Sequence, residues 1–256
     1  VIGAYFLKAG EITSNLKKHC RERTCVNDLG CFNQKWIKRT NFATPGGRII
    51  QNRRYRLQVM HDIEPHFRWR EYYCAEDDPR SPFAGRVYSE FDFTNKLYNF
   101  FIHPQWDAFG SSTLYGKILF ADYEEGYVLM ELIGEWNDTL HNDIMFLKRN
   151  VVDPLMAEGI SRFVFFCENL LNFHASIDDD YYAEWHEELL DEGGWVALVN
   201  IRPQVEEELL SAHLDHYLFF GPAFNDLIWR NQKPAVIVPL VEAIIHGSTK
   251  RLQSYG

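Results

Sequence analysis

Three groups of residues in this chain have the types and spacing that chemistry uses. The first follows the apolar run Phe163–Cys167, where Glu168, Asn172, His174 and Ser176 fall in the segment that leaves it. Parallel sheets place ligands outside the carboxyl ends of their strands, and a carboxylate near an imidazole is what general acid–base work requires. The plainer alternative is that the Asn and Asp residues here form turns and that His174 is a satisfied hydrogen-bonding side chain. The second group is Glu135-Trp-Asn-Asp-Thr-Leu-His-Asn-Asp143. Its carboxylates suit a helix N-terminus, where they meet the dipole and the unpaired N–H groups. For catalysis, Asp138 and His141 would need a nucleophile or metal as partner, and the sequence offers none nearby. Together with Glu168, Asn172 and His174 they form the pocket that an enzyme reading would use.

The third group interleaves arginine with aromatics: Arg53, Arg54 and Arg56 around Tyr55, then Arg68 and Arg70 around Trp69. Such a stretch can hold single-stranded nucleic acid by stacking and phosphate contact. It serves an ion-paired interface with acidic protein equally well, and a net charge of −10 favours the protein partner. His19, Cys20, Cys25 and Cys31 lack the second close pair that a zinc site needs, so neither metal nor cofactor is expected.

The elements that must position these residues can be read from hydrophobic periodicity. Two apolar runs, 118–123 and 127–133, are joined by Glu124-Glu-Gly126 and predict a β-hairpin with Gly126 in a left-handed position. A helix capped by Asn137 or Asp138 follows, with Leu140, Ile144, Leu147, Val151 and Leu155 as its apolar stripe, Pro154 as a kink and Gly159 as its stop. Phe163–Cys167 is continuously apolar, the pattern of a central strand covered on both faces. Residues 168–178 are expected as a loop, 178–192 as an exposed acidic helix, and 195–201 as a further strand. A helix opening at Pro203, a short strand at 216–220 and a final helix from Pro234 complete the pattern. Upstream, Arg86–Thr94 alternates like a half-buried strand, and 48–64 reads as an amphipathic helix with a basic back. The result is an α/β fold with a small mixed sheet, an initial hairpin and covering helices. Residues 83–256 form the α/β domain, with its core at 116–247, and residues 1–82 form a mainly helical, basic, aromatic-rich extension.

The charges divide in the same way. Residues 1–80 carry fifteen basic and nine acidic side chains, and the remainder carries eleven and twenty-seven. Docking of the basic part on acidic protein, its own or another subunit's, follows from this opposition. No apolar run approaches the roughly 20 residues that span a bilayer. An odd set of five cysteines argues for free thiols, so a cytoplasmic protein is expected.

In its hairpin, helix, apolar strand and second helix the chain resembles the STAS and SpoIIAA-like family of small bacterial α/β domains, over roughly residues 116–247. Leu171-Asn172-Phe173 matches the hydrophobic-x-Phe step that leads into the family's phosphoacceptor turn, and Ser176 falls where the phosphoacceptor serine would be. Ala175 stands in place of the acidic residue, and Ile177 and Asp178 in place of Ser-Gly; these departures argue against phosphoregulation. The resemblance implies a non-enzymatic domain that binds a partner protein, or a second copy of itself, through the loop and helix after the strand. Ser176, Asp178, Asp179, Asp180 and Trp185 would then form the binding surface.

Overall fold

The computed structural model describes residues 63–89, 91–177 and 180–253, with side chains through residue 247. Arg53, Arg54, Arg56, Asp178, Asp179, the first three cysteines and nearly all of the helix expected over 48–64 lie outside the described residues.

The fold is α/β, as expected. Its centre is a five-stranded mixed sheet in the order β3-β4-β5-β6-β7. The strands are β3 (Asp107–Ala108), β4 (Leu114–Asp122), β5 (Tyr127–Asn137), β6 (Arg162–His174) and β7 (Trp195–Val199). β1 (Lys96–Leu97) and β2 (Phe100–Phe101) form a separate two-stranded ribbon. β3, β4 and β5 are joined antiparallel, whereas β5, β6 and β7 run parallel. The predicted hairpin is β4–β5, and Gly126 turns it at φ +70°.

Between β5 and β6 the chain forms α1 (Asp138–His141), α2 (Asp143–Leu147), a π turn (Lys148–Val152) and α3 (Asp153–Ala157). The Asn137 side chain accepts from the Leu140 N–H, as a cap should. Asn142 then adopts a left-handed conformation (φ 52°, ψ 52°) and breaks the helix after one turn. Ile144, Leu147, Val151 and Leu155 are buried as the stripe requires. Leu140 lies before the break and is turned out of the stripe, 76% exposed. The π turn precedes Pro154, which follows the first position of α3 and so needs no helical N–H of its own. Lys148 in that turn is buried, its Nζ 2.9 Å from Asp153 and 2.8 Å from Glu188 of α4 (Asp180–Asp191).

After β7 come α5 (Pro203–Ser211), α6 (Pro222–Asn225) and α7 (Pro234–Gln253). α1–α5 cover one face of the sheet, in a core built on Met130, Leu132, Phe163, Phe165, Leu198 and Trp185. α7 covers the other face with Trp69 and Trp229, packing on Leu129, Val164, Phe166 and Ala197. Farther along that face, Leu97, Ile102 and Trp106 close over Tyr115 and Ile133.

Several expectations are corrected. β6 runs unbroken to His174, so Glu168, Asn172 and His174 are strand residues rather than loop residues. Their polar side chains resemble loop chemistry, but Asn169, Leu170, Asn172, Phe173 and His174 all pair with β5. Arg86–Phe93 forms no strand among the described residues. Its alternation is real but inverted: Val87 and Phe91 face solvent, while Arg86 and Tyr88 reach the buried Asp107 at 3.0 and 2.7 Å. At 216–220 only Phe219 bridges to the sheet, parallel to Ala197.

Candidate functional site

The face of the sheet that carries Glu131 sets out the polar chemistry in order along β5. Strand alternation places Tyr127, Leu129, Glu131, Ile133 and Glu135 on that face. The first two lie under α7 and Ile133 under Trp106, so each of the two glutamates needs its own polar partners.

Glu131 is fully buried. It accepts from the His66 backbone N–H (2.8 Å), Arg230 Nη2 (2.8 Å) and Asn169 Nδ2 (3.3 Å). Burial pushes its carboxyl above the ordinary range, against the His66 bond and the charge of Arg230. Glu168, on neighbouring β6, binds the same guanidinium through Nε (2.9 Å) and Nη2 (2.5 Å). It also accepts from Trp229 Nε1 (2.8 Å) and Asn200 Nδ2 (3.0 Å). Burial raises the Glu168 carboxyl, but the bonds from Arg230 and Trp229 outweigh it and leave its pKa lowered. Arg230 thus bridges two strands through their carboxylates.

His66 packs edge-on to Trp69 and Trp229, with ring centroids 5.1 and 4.9 Å away. Burial, then the charges of Arg230 and Arg68, bring its pKa down to about 4, so it is neutral at neutral pH. Trp229 stacks on Phe166 with centroids 3.7 Å apart. Asn200, immediately after β7, holds a positive φ of 57°. Around these residues opens a cleft of about 660 Å³, lined also by Phe67, Arg68, Ile228 and Asn231.

Glu135 forms a second site. It accepts from the Tyr98 hydroxyl and lies 2.6 Å from His174 Nε2. Tyr98 is brought there by the β1–β2 turn, in a left-handed conformation. His174 is half-exposed, so a histidine and a carboxylate do converge, at the carboxyl ends of β5 and β6. The trio can hold and pass a proton.

The enzyme pocket expected from the sequence is therefore divided. Glu168 belongs to the cleft, and His174 to the Glu135 site. Asp138 is a buried structural acid whose Oδ1 accepts from Ile144 N–H (2.8 Å) and Trp136 Nε1 (3.0 Å), and whose Oδ2 accepts from Tyr182 (2.6 Å). Burial raises its pKa to about 6, against the Tyr182 bond. His141 is exposed at the end of α1, and Asn172 is half-buried on β6 beside Tyr98.

Of the surface expected after β6, Asp180 and Ser176 stand where a partner could reach them, with Asp180 opening α4 on the exposed side. Trp185 is a correction: it is 1% exposed and packs against Phe163 and Phe165, because α4 buries Tyr182, Trp185 and Leu189 on one stripe. The described part of the basic-aromatic stretch, Arg68 to Arg70, is also engaged within the chain. Trp69 is buried and donates to the Gln232 carbonyl (2.9 Å), Arg70 pairs with Glu76 (3.2 Å), and Arg68 donates to Asn231 (3.2 Å).

The sequence reading passed over His66, Tyr98, Asn200 and Arg230. Trp229-Arg230, in a short segment just before Pro234, was the available signal, since both side chains carry strong donors that a fold rarely leaves unused.

No family model matches the chain, and no curated protein matches it. Among solved structures, the anti-sigma factor antagonist SpoIIAA in its unphosphorylated form is similar, with a TM-score of 0.34 and 16% identity, over 42% of this chain and 88% of that one. The Bacillus cell fate determinant SpoIIAA in its phosphorylated form gives 0.30 and 14%, over 42% and 91%. No helix among the described residues is long and apolar enough to cross a membrane.

Proposed function

We propose that the chain is a cytoplasmic, non-enzymatic interaction module of regulatory type, which meets a protein partner at the edge formed by residues 137–141 and 174–177. One observation carries this reading. Leu140 of α1 is 76% exposed and Ile177, in the loop after β6, is fully exposed, and the two segments are held together by the Thr139 hydroxyl, which donates to the Ala175 carbonyl at 2.6 Å. Single exposed apolar residues are ordinary, but two on adjoining segments at one end of a sheet form a surface that gains by being covered. The exposed Asp180 beside them would favour a partner with a basic rim.

A photoreactive residue placed at Ile177 tests the reading in the native cell. The expected result is one discrete adduct, absent when the probe is at the exposed Val87 and lost when Leu140→Asp is added. A dimer-sized adduct identifies the partner as a second copy of the chain. Adducts that are equally strong at 87 and 177, or that persist through Leu140→Asp, would rule the surface out.

A further inference from the structure

We infer that the cleft between β6, β7 and the segment before α7 binds a small organic anion with an apolar body, its acid group held by Arg68 and Arg230. The inference is independent of the interaction surface, which lies at Leu140 and Ile177. The place itself has the character of a ligand site: Asn200, held at positive φ on its floor, directly follows the carboxyl end of β7. A volume of about 660 Å³ lies within the range of small-molecule sites.

The ligand class follows from which lining groups are already bonded. Glu168 accepts from Arg230, Trp229 and Asn200. Asn200 donates to Glu168 and to the Leu227 carbonyl, and Asn225 accepts from the Ile201 N–H and donates to Glu206. Asn231 accepts from Arg68. The amide N–H groups of Asn200 and Asn225 are thus engaged in holding the loops together, while Asn200 Oδ1 and His66 Nε2 are buried without a partner. The two guanidiniums are not fully engaged, since Arg68 is bonded through Nη1 and Arg230 through Nε and Nη2. A guanidinium carries five N–H donors in a planar fork that matches a carboxylate or phosphate, so both retain capacity for an acid group. Both line the cleft, and Arg68 is tied to Asn231, the residue that follows Arg230.

The apolar part of the ligand follows from two side chains with no evident structural reason to face water. Phe67 is 63% and Ile228 73% exposed, and both line the cleft. The flat faces of Trp229 are already taken, by Phe166 on the one hand and by the Arg230 guanidinium at 4.5 Å on the other. The ligand body therefore rests on Phe67 and Ile228. Two lining carboxylates oppose an anion: Glu168, whose charge is met by Arg230, and the exposed Asp226, which meets no such cation among the described residues and provides a test of sign.

Phenylacetate, phenyl phosphate and phenethylamine, which share a ring and differ in the charged group, test the inference by amide chemical-shift titration of the whole chain. The expected result is saturable binding of one or both anions, in the millimolar range for such small probes, with shifts centred on residues 227–231. Phenethylamine should cause none. The tighter of the two anions tells carboxylate from phosphate. Arg68→Glu, on the surface, should weaken binding at least tenfold, Ile228→Asp should also weaken it, and Asp226→Asn should tighten it. Each variant's unperturbed spectrum shows that it is folded. Absence of saturable shifts with both anions, equal binding of the amine, or affinity unchanged in Arg68→Glu would overturn the inference.

Discussion

Glu131 and Glu135 stand four residues apart on one strand and one face, yet they have become different kinds of residue. Glu131 lies where the sheet is covered on both sides, and the structure supplies it with a guanidinium, a backbone N–H and an amide. Glu135 lies where the cover thins, beneath a turn that provides Tyr98 and beside the half-exposed His174. The first arrangement is a cross-link around a fully buried carboxylate, and the second pairs a largely buried carboxylate with a half-exposed histidine at the end of the sheet. Access of water, more than residue type, distinguishes them, because removing Arg230 leaves a charge on Glu131 that water cannot reach, whereas water can take the place of the half-exposed His174.

Removing each partner in turn tests that contrast. Arg230→Met leaves two carboxylates without their cation, one of them fully buried, and should cost about 3–5 kcal/mol in denaturant unfolding. Adding Glu131→Gln should recover part of the loss. Recovery of none would mean that Arg230 acts through packing alone. Next in size is His66. Its pKa of about 4 lies below the ordinary 6.5, so the unfolded chain binds a proton first on acidification. The stability associated with a neutral His66 is therefore present above pH 6.5 and is lost as pH falls toward 4, to a total of about 3 kcal/mol. Asp138, with its pKa raised to about 6, has the opposite slope between pH 4 and 6 and masks part of this in the wild type. The difference between wild type and His66→Asn, followed across pH 4–7, isolates the His66 contribution and should grow with pH.

At the other site the effects should be small. His174→Ala removes a half-exposed pair and should change stability by less than about 1 kcal/mol. A loss as large as that of Arg230→Met would erase the distinction between the two glutamates. Leu140→Asp should be smaller still, within about 0.5 kcal/mol, while abolishing the cross-link from position 177 described above.

What was legible in the sequence follows the same division. The hairpin, the apolar half of β6, β7 and the helix stripe from Ile144 to Leu155 could be read because apolar side chains at a fixed period report burial directly. The polar half of β6 could not, since Glu168, Asn172 and His174 look like a turn unless the covering residues are known. Those residues come from far along the chain: Arg230 is 99 positions from Glu131 and 62 from Glu168, and His66 is 65 from Glu131. Likewise Trp185 carries no local sign that its helix turns its aromatic stripe inward. Ser176 lies in a loop as the sequence leads one to expect, because a loop after a strand needs no distant partner to be a loop.

The single bridging residue Phe219 has a consequence for how the molecule behaves in company. β7 would otherwise present an open row of N–H and C=O groups, ready to accept a strand from another chain. Phe219 takes the Val196 carbonyl and the Leu198 N–H, both at 2.8 Å, and so occupies the middle of that edge with one residue. At the opposite edge β3 is only two residues long, and its Asp107 is tied inward by Arg86 and Tyr88. Each margin is thus held by a piece too short to template another strand, Phe219 at the middle of β7 and β3 at Tyr115 and Gly116 of β4. Phe219→Pro, which cannot donate to the Val196 carbonyl, would open the β7 edge and expose the molecule to its own kind as a seed of aggregation.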